Sequence, residues 1–213
     1  MKPLSACHLY TFIDTAYTGE RQLRDVAQQL CDGGSDLIQL RSKTSGRDQI
    51  RKMADAVLPV TRAAKVGLVI NDHLIIAQEL GAEYCHLGQE DFFERGHRHI
   101  SELLPGDIGI GLSSHAPAQA ERAMAAGAAY IAIGPVYATP TKPAANPVTL
   151  DYVRWATANV QVPWFAIGGI NLENVDEVLG AGARRICVVS AILNSPDIAR
   201  TCQKFKQRLG SSG

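Results

Sequence analysis

Short apolar runs alternate with amphipathic segments from one end of the chain to the other. The runs HLYTFID (8–14), LIQL (37–40), GLVI (67–70), EYCHL (83–87), IGIGL (108–112), YIAIG (130–134), PWFAIG (163–168) and RICVVS (185–190) have strand length and composition. Each is followed by a segment of helical spacing, over 20–32, 46–64, 73–80, 97–104, 116–126, 148–158, 171–180 and 195–208. The segment from 116 carries boundary signals, with Pro117 early, alanine-rich faces, and Gly127 where a C-terminal cap belongs. LGAEY (80–84), AGAAY (126–130) and AGARR (181–185) share one ending. In each, a glycine follows the last helical turn, where it allows a left-handed cap before the next strand.

Eight strand–helix units without a linker or composition break predict one α/β domain over residues 1–213. The strands are apolar on both faces, as a parallel sheet covered by helices requires. A closed (β/α)8 TIM barrel with parallel strands accommodates eight units best. An open doubly wound sheet is the other candidate, but the first βα turn, DTAYTGE, lacks a GxGxxG fingerprint. In a barrel all strand C-termini meet on one rim, and active sites sit there.

Composition narrows the partners rather than the fold. The chain has 213 residues, 46% hydrophobic and 20% charged, with a formal net charge of zero. That balance provides no bulk attraction to nucleic acid or to an anionic membrane. No apolar run reaches the roughly 20 residues that span a bilayer. The N-terminal MKPLSACHLYTFID lacks a signal peptide's apolar stretch, so a cytoplasmic protein is expected. Cys7, Cys31, Cys85, Cys187 and Cys202 are scattered without CxxC spacing, and Cys85 and Cys187 lie inside strand-like runs. They read as small hydrophobes rather than metal ligands.

The residues just beyond the strand ends carry the chemistry. After strand two, alternation places Gln39, Arg41 and Lys43 on one face and Leu40 and Ser42 on the other. Strands three and four end in INDH and HLGQED, which bring Asp72 and Asp91 to neighbouring points of the rim. Asp72 alone would serve equally as a helix N-cap. With Asp91, and opposite two cations, it forms a hard-oxygen set suited to Mg2+ and a polyphosphate. Ser113 and His115 end strand five, where Ser113 meets a polar ligand or caps the next helix. His115 is the histidine placed for proton transfer, whereas His97 and His99 lie in a charged surface run. The long segment GPVYATPTKPAANP after strand six carries two threonines and Lys142 and reads as a lid or binding loop. Gly168 and Gly169, with Ser190 after strand eight, suit a phosphate seat. Two separate anion sites on one rim imply two phosphorylated small-molecule substrates.

QLRSK, IND, HLGQED, GLSSH, GPVYATPTK, AIGGI and VVSAI, in this order and at these spacings, resemble the thiamine phosphate synthase family over roughly residues 8 to 205. The resemblance implies a (β/α)8 barrel joining hydroxymethylpyrimidine diphosphate to a thiazole phosphate, with thiamine monophosphate and diphosphate as products. It implies that Gln39, Arg41, Lys43 and Asn71 contact the pyrimidine diphosphate, and that Ser113 meets the pyrimidine substrate. Asp72 and Asp91 would hold Mg2+. Thr139, Thr141 and Lys142 would serve the thiazole phosphate and the departing diphosphate, and Gly169, Val189 and Ser190 would seat the thiazole phosphate. Arg41, Lys43, Ser113 and Lys142 are the expected catalytic set. Ser114-His115-Ala116 departs from the family's frequent Thr-His-Thr without removing an expected ligand.

Two other functions remain open at this point. A related thiazole tautomerase would use a rim histidine such as His115, but would lack the paired aspartates and the TPTK loop. A non-catalytic barrel that binds phosphorylated metabolites would not need magnesium ligands. A homo-oligomer is compatible with the sequence.

Overall fold

The computed structural model describes residues 2–139, 141 and 146–210. Its strands are β1 (Leu9–Asp14), β2 (Leu37–Arg41), β3 (Gly67–Asn71), β4 (Tyr84–Leu87), β5 (Gly109–Ser114), β6 (Tyr130–Ile133), β7 (Trp164–Ile167) and β8 (Ile186–Val188). They pair in sequence order, all parallel, and β8 closes onto β1. The predicted barrel is therefore the fold, and the open sheet is excluded.

The helices are α1 (Thr15–Thr18), α2 (Leu23–Asp32), α3 (Arg47–Ala64), α4 (Leu74–Leu80), α5 (Gln89–Phe92), α6 (Pro117–Ala125), α7 (Thr149–Asn159), α8 (Val175–Gly180), α9 (Ser190–Leu193) and α10 (Ile198–Gly210). Among the described residues no helix is long and apolar enough to cross a membrane. The shared helix endings behave as predicted: Gly81, Gly127 and Gly182 have φ of 62°, 83° and 104°, which other residues reach only with strain.

Several boundaries differ from the periodicity. No helix covers 97–104; only a 3-10 turn forms at Ile100–Leu103. The Glu102 carboxylate accepts from the backbone N–H groups of Arg98 and His99 and keeps those residues extended. The helix predicted from 171 begins at Val175 because Asn171 and Asn174 bond the local backbone instead. Three one-turn helices at the rim, α1, α5 and α9, have no counterpart in the periodicity. Ser190, expected to end a strand, opens α9.

Aromatic rings meet in the barrel interior. Tyr10, Tyr130 and Phe165 meet edge to face, with centroids 5.3–5.8 Å apart. Strand β5 makes room for them: a Cβ on Gly111 would lie 2.1 Å from the Tyr130 ring. At the opposite end from the rim, Asp36 ties the termini to the barrel. Its side chain is fully buried and accepts from Lys2 and Lys206, both at 2.7 Å, and from the N–H groups of His8 and Leu9.

Candidate active site

A cavity opens at the C-terminal rim, with about 970 Å3 of empty space including its mouth. Successive strands supply its wall. Gln39 and Arg41 come from β2 and Lys43 from just beyond it, all three on the cavity side as the alternation predicts, and Asn71 and Asp72 come from the end of β3 and the residue after it. Glu90 and Asp91 follow β4, Ser113 lies near the end of β5 and His115 just after it, and Thr139 and Thr141 follow β6. Gly168 and Gly169 follow β7, and Val189 and Ser190 follow β8. Every described residue expected at the site lines this cavity; Lys142 lies outside the described residues.

Both cations are paired with carboxylates. Arg41 Nη1 lies 2.5 Å from Asp14 Oδ2, and the Asp14 carboxylate is buried and also accepts from Ala16 N. A paired guanidinium on a rigid strand loses little entropy when it meets a phosphate. Lys43 Nζ lies 2.5 Å from Asp72 Oδ2. Asp72 has a φ of 65°, a left-handed conformation that Asp tolerates better than most residues. It is not the cap of α4, whose N-cap residue is His73, and its carboxylate faces Lys43.

Asp91 sits on α5 and pairs loosely with Arg95 at 3.2 Å. A Cβ on Gly88 would lie 3.1 Å from Asp91 Oδ2 and 3.2 Å from Glu90 Oε2, so both carboxylates curl over that glycine. On the same cavity wall, buried Asn71 Nδ2 has no hydrogen-bond partner among the described residues. An orphaned buried amide costs about 1–3 kcal/mol unless a ligand or water satisfies it.

Ser113 does not cap α6, because its Oγ bonds His86 Nε2 at 3.0 Å. Its carbonyl accepts from buried Gln89, which in turn accepts from Arg122 at 2.6 Å. That guanidinium lies 3.9 Å from the centre of the Phe93 ring. His115 Nδ1 bonds the Gly134 carbonyl and its backbone N–H donates to Gln119.

The loops after β6 and β7 are bound to each other. Val136 N donates to Ile167 O at 2.8 Å and Tyr137 N to Gly168 O at 3.1 Å. Gly168 and Gly169 have φ of 104° and 65°, so their freedom serves this loop packing as well as any ligand. A Cβ on Gly169 would lie 2.7 Å from both Ala138 O and Tyr137 Cβ. Across the mouth, Thr141 Oγ1 lies 2.9 Å from Tyr17 Oη on α1.

A family model described as thiamine monophosphate synthase matches residues 9–192. The chain belongs to the thiamine monophosphate synthase family. A thiamine-phosphate synthase of Thermus thermophilus is 41% identical over 187 residues, covering 87% of this chain and 88% of that one. One from Lawsonia intracellularis is 36% identical over 202 residues, covering 94% and 92%. The solved thiamine phosphate pyrophosphorylase of Pyrococcus furiosus superposes with a TM-score of 0.88 over 99% of both chains, at 24% identity, which speaks for the fold.

As a member of this family the chain has cavity residues that its sequence did not announce. His86 lies inside the apolar run of β4 and lines the cavity beside Ser113. The alternation applied to β2 would have found it, since Tyr84 and His86 share a face of β4. Glu90 also lines the cavity, whereas Gln89 props the Ser113 backbone from behind. Neither had an assignment from sequence. In this family member Gly169→Ala is expected to force the two loops apart and raise the KM for the thiazole phosphate about tenfold, at some loss of melting temperature. An unchanged KM would show that the loop contact does not shape the site.

Proposed function

We propose that this protein is a transferase joining hydroxymethylpyrimidine diphosphate to a thiazole phosphate, forming thiamine monophosphate and releasing diphosphate. We further propose that it works in the cytoplasm, where its five free cysteines stay reduced. The observation that carries the reaction is the gathering of Arg41, Lys43, Asp72 and Asp91 around one cavity with an unsatisfied Asn71. Family membership gives this arrangement its substrate class.

The donor set fits magnesium. Asp72 and Asp91 are partly exposed carboxylates on the cavity wall, and magnesium commonly takes one or two carboxylates with waters and substrate phosphates completing its shell. Asp72 and Asp91 would hold the ion, which supplies charge neutralisation for the departing diphosphate.

The residues themselves position and neutralise. Arg41, fixed by Asp14, meets the diphosphate with a pre-set guanidinium. Lys43, now on Asp72, supplies a mobile ammonium to the same group. Gln39, Asn71 and Ser113 orient the pyrimidine. Thr139, Thr141 and Lys142 attend both phosphorylated groups, and Gly169, Val189 and Ser190 seat the thiazole phosphate. The methylene C–O bond breaks with its electron pair leaving on diphosphate, and the thiazole nitrogen lone pair forms the new C–N bond. No protein nucleophile is needed, so catalysis rests on orientation and electrostatics.

Purified protein mixed with both phosphorylated halves should release diphosphate only when magnesium is present. Absence of metal-dependent release would sink the reaction. Isomerisation of a thiazole substrate without diphosphate would point instead to a His115-based tautomerase.

A further inference from the structure

A chain of hydrogen bonds crosses the barrel interior beneath the cavity. Gln39 Nε2 bonds Tyr10 Oη at 2.5 Å, Tyr10 Oη bonds Tyr130 Oη at 3.0 Å, and Tyr130 Oη bonds His86 Nδ1 at 3.1 Å. His86 Nε2 then bonds Ser113 Oγ at 3.0 Å. The two ends, with His86, line the cavity, while the tyrosines in the middle are fully buried and reach no substrate.

Proton counting gives this chain a direction. Gln39 Nε2 carries only hydrogens and must donate to Tyr10. Among the described residues the Tyr10 hydroxyl has no hydrogen-bond partner but Gln39 and Tyr130, so its single proton goes to Tyr130, which donates its own to His86 Nδ1. A neutral imidazole that accepts at Nδ1 carries its proton at Nε2, and that N–H donates to Ser113. Ser113 is thereby left to donate its O–H into the cavity, and Gln39 to offer its carbonyl. Burial pushes both phenols well above their ordinary range, so both protons stay in place.

We propose that Tyr10 and Tyr130 are positioning residues that fix the hydrogen-bond polarity of the pyrimidine subsite through the His86 tautomer. This rests on the reaction proposed above. An aminopyrimidine offers an acceptor ring nitrogen beside a donor amine, matching a Ser113 donor and a Gln39 acceptor. A ring with an oxo group beside a ring N–H presents the reversed pattern and leaves those buried groups unpaired. The tyrosines thus select amino- over oxo-pyrimidines without touching either.

The test is Tyr130→Phe, which keeps the ring and its edge-to-face packing but removes the hydroxyl. Nitrogen-15 NMR of the unmodified protein should show His86 as the Nε2–H tautomer, and the variant should populate both tautomers. The KM for the pyrimidine diphosphate should rise about tenfold, while that for the thiazole phosphate stays within about twofold. Phe165→Leu, which disturbs the same aromatic cluster without removing a hydrogen bond, should lower the melting temperature and leave the tautomer unchanged. An Nδ1–H tautomer in the unmodified protein, an unmoved tautomer in Tyr130→Phe, or equal rises in both KM values would overturn the proposal. The NMR measurement needs no substrate, so absence of turnover would remove the proposed reaction while the tautomer still decides the relay.

Discussion

Replacing Asp91 by Asn should lower magnesium-dependent diphosphate release by about a thousandfold, roughly 4 kcal/mol of barrier, and Asp72→Asn should do the same. The substitutions keep shape and remove one negative charge from a set of two. With one carboxylate left, a magnesium ion loses half of its protein anions, and the diphosphate leaves less fully neutralised. The two variants should differ in a second respect. Asp72 is the partner of Lys43, so Asp72→Asn frees that ammonium for phosphate and should raise the KM for the pyrimidine diphosphate less than Asp91→Asn does. Added magnesium should restore part of the lost rate in both. Near wild-type turnover in either variant would refute its role as a metal ligand.

The barrel was legible because its signals are repeated. Alternating apolar runs and glycine-ended helices recur along the chain, so an error at one boundary leaves the topology intact. The cavity wall was legible for a related reason: in this fold the residues at and just beyond each strand's C-terminal end reach the rim, and Gln39, Arg41, Lys43, Asp72 and Asp91 all line the cavity there. The one-turn helices α1, α5 and α9 were not legible, because four residues carry no helical period. They form where local caps and packing permit, as with Asp14 accepting from Ala16 N. The tyrosine relay was hidden for another reason. Tyr10 and Tyr130 look like ordinary core aromatics in sequence, 120 positions apart, and only barrel closure brings their hydroxyls together. The glycine pair after β7 was assigned to a ligand from sequence alone, whereas its positive-φ backbone, open to glycine, also joins two loops.

The second large effect concerns stability, at the far end of the barrel from the chemistry. Asp36→Ala should destabilise the protein by about 3 kcal/mol, because it strips acceptors from the His8 and Leu9 N–H groups and partners from two lysines. Lys2 is largely exposed and regains water, so most of the cost falls on the buried amides and on Lys206. For a domain of this size the melting temperature should fall by roughly 6–12 °C. The effect should depend on pH in a defined direction. Burial alone would raise the Asp36 pKa, but hydrogen bonds from Leu9, Lys2, Lys206 and His8 outweigh it and hold the carboxyl below its ordinary 3.8. A carboxyl depressed in the folded state stabilises fully above the unfolded value and loses that contribution as pH falls through the folded one. The gap between wild type and Asp36→Ala in urea unfolding should therefore be full near pH 7 and shrink as the pH drops below 3.8. A gap that is equal at pH 7 and pH 3 would mean that the carboxylate's charge contributes nothing and that only its bulk matters. The same variant should keep its KM for both substrates, since Asp36 stands at the end of β2 opposite Arg41 and Lys43.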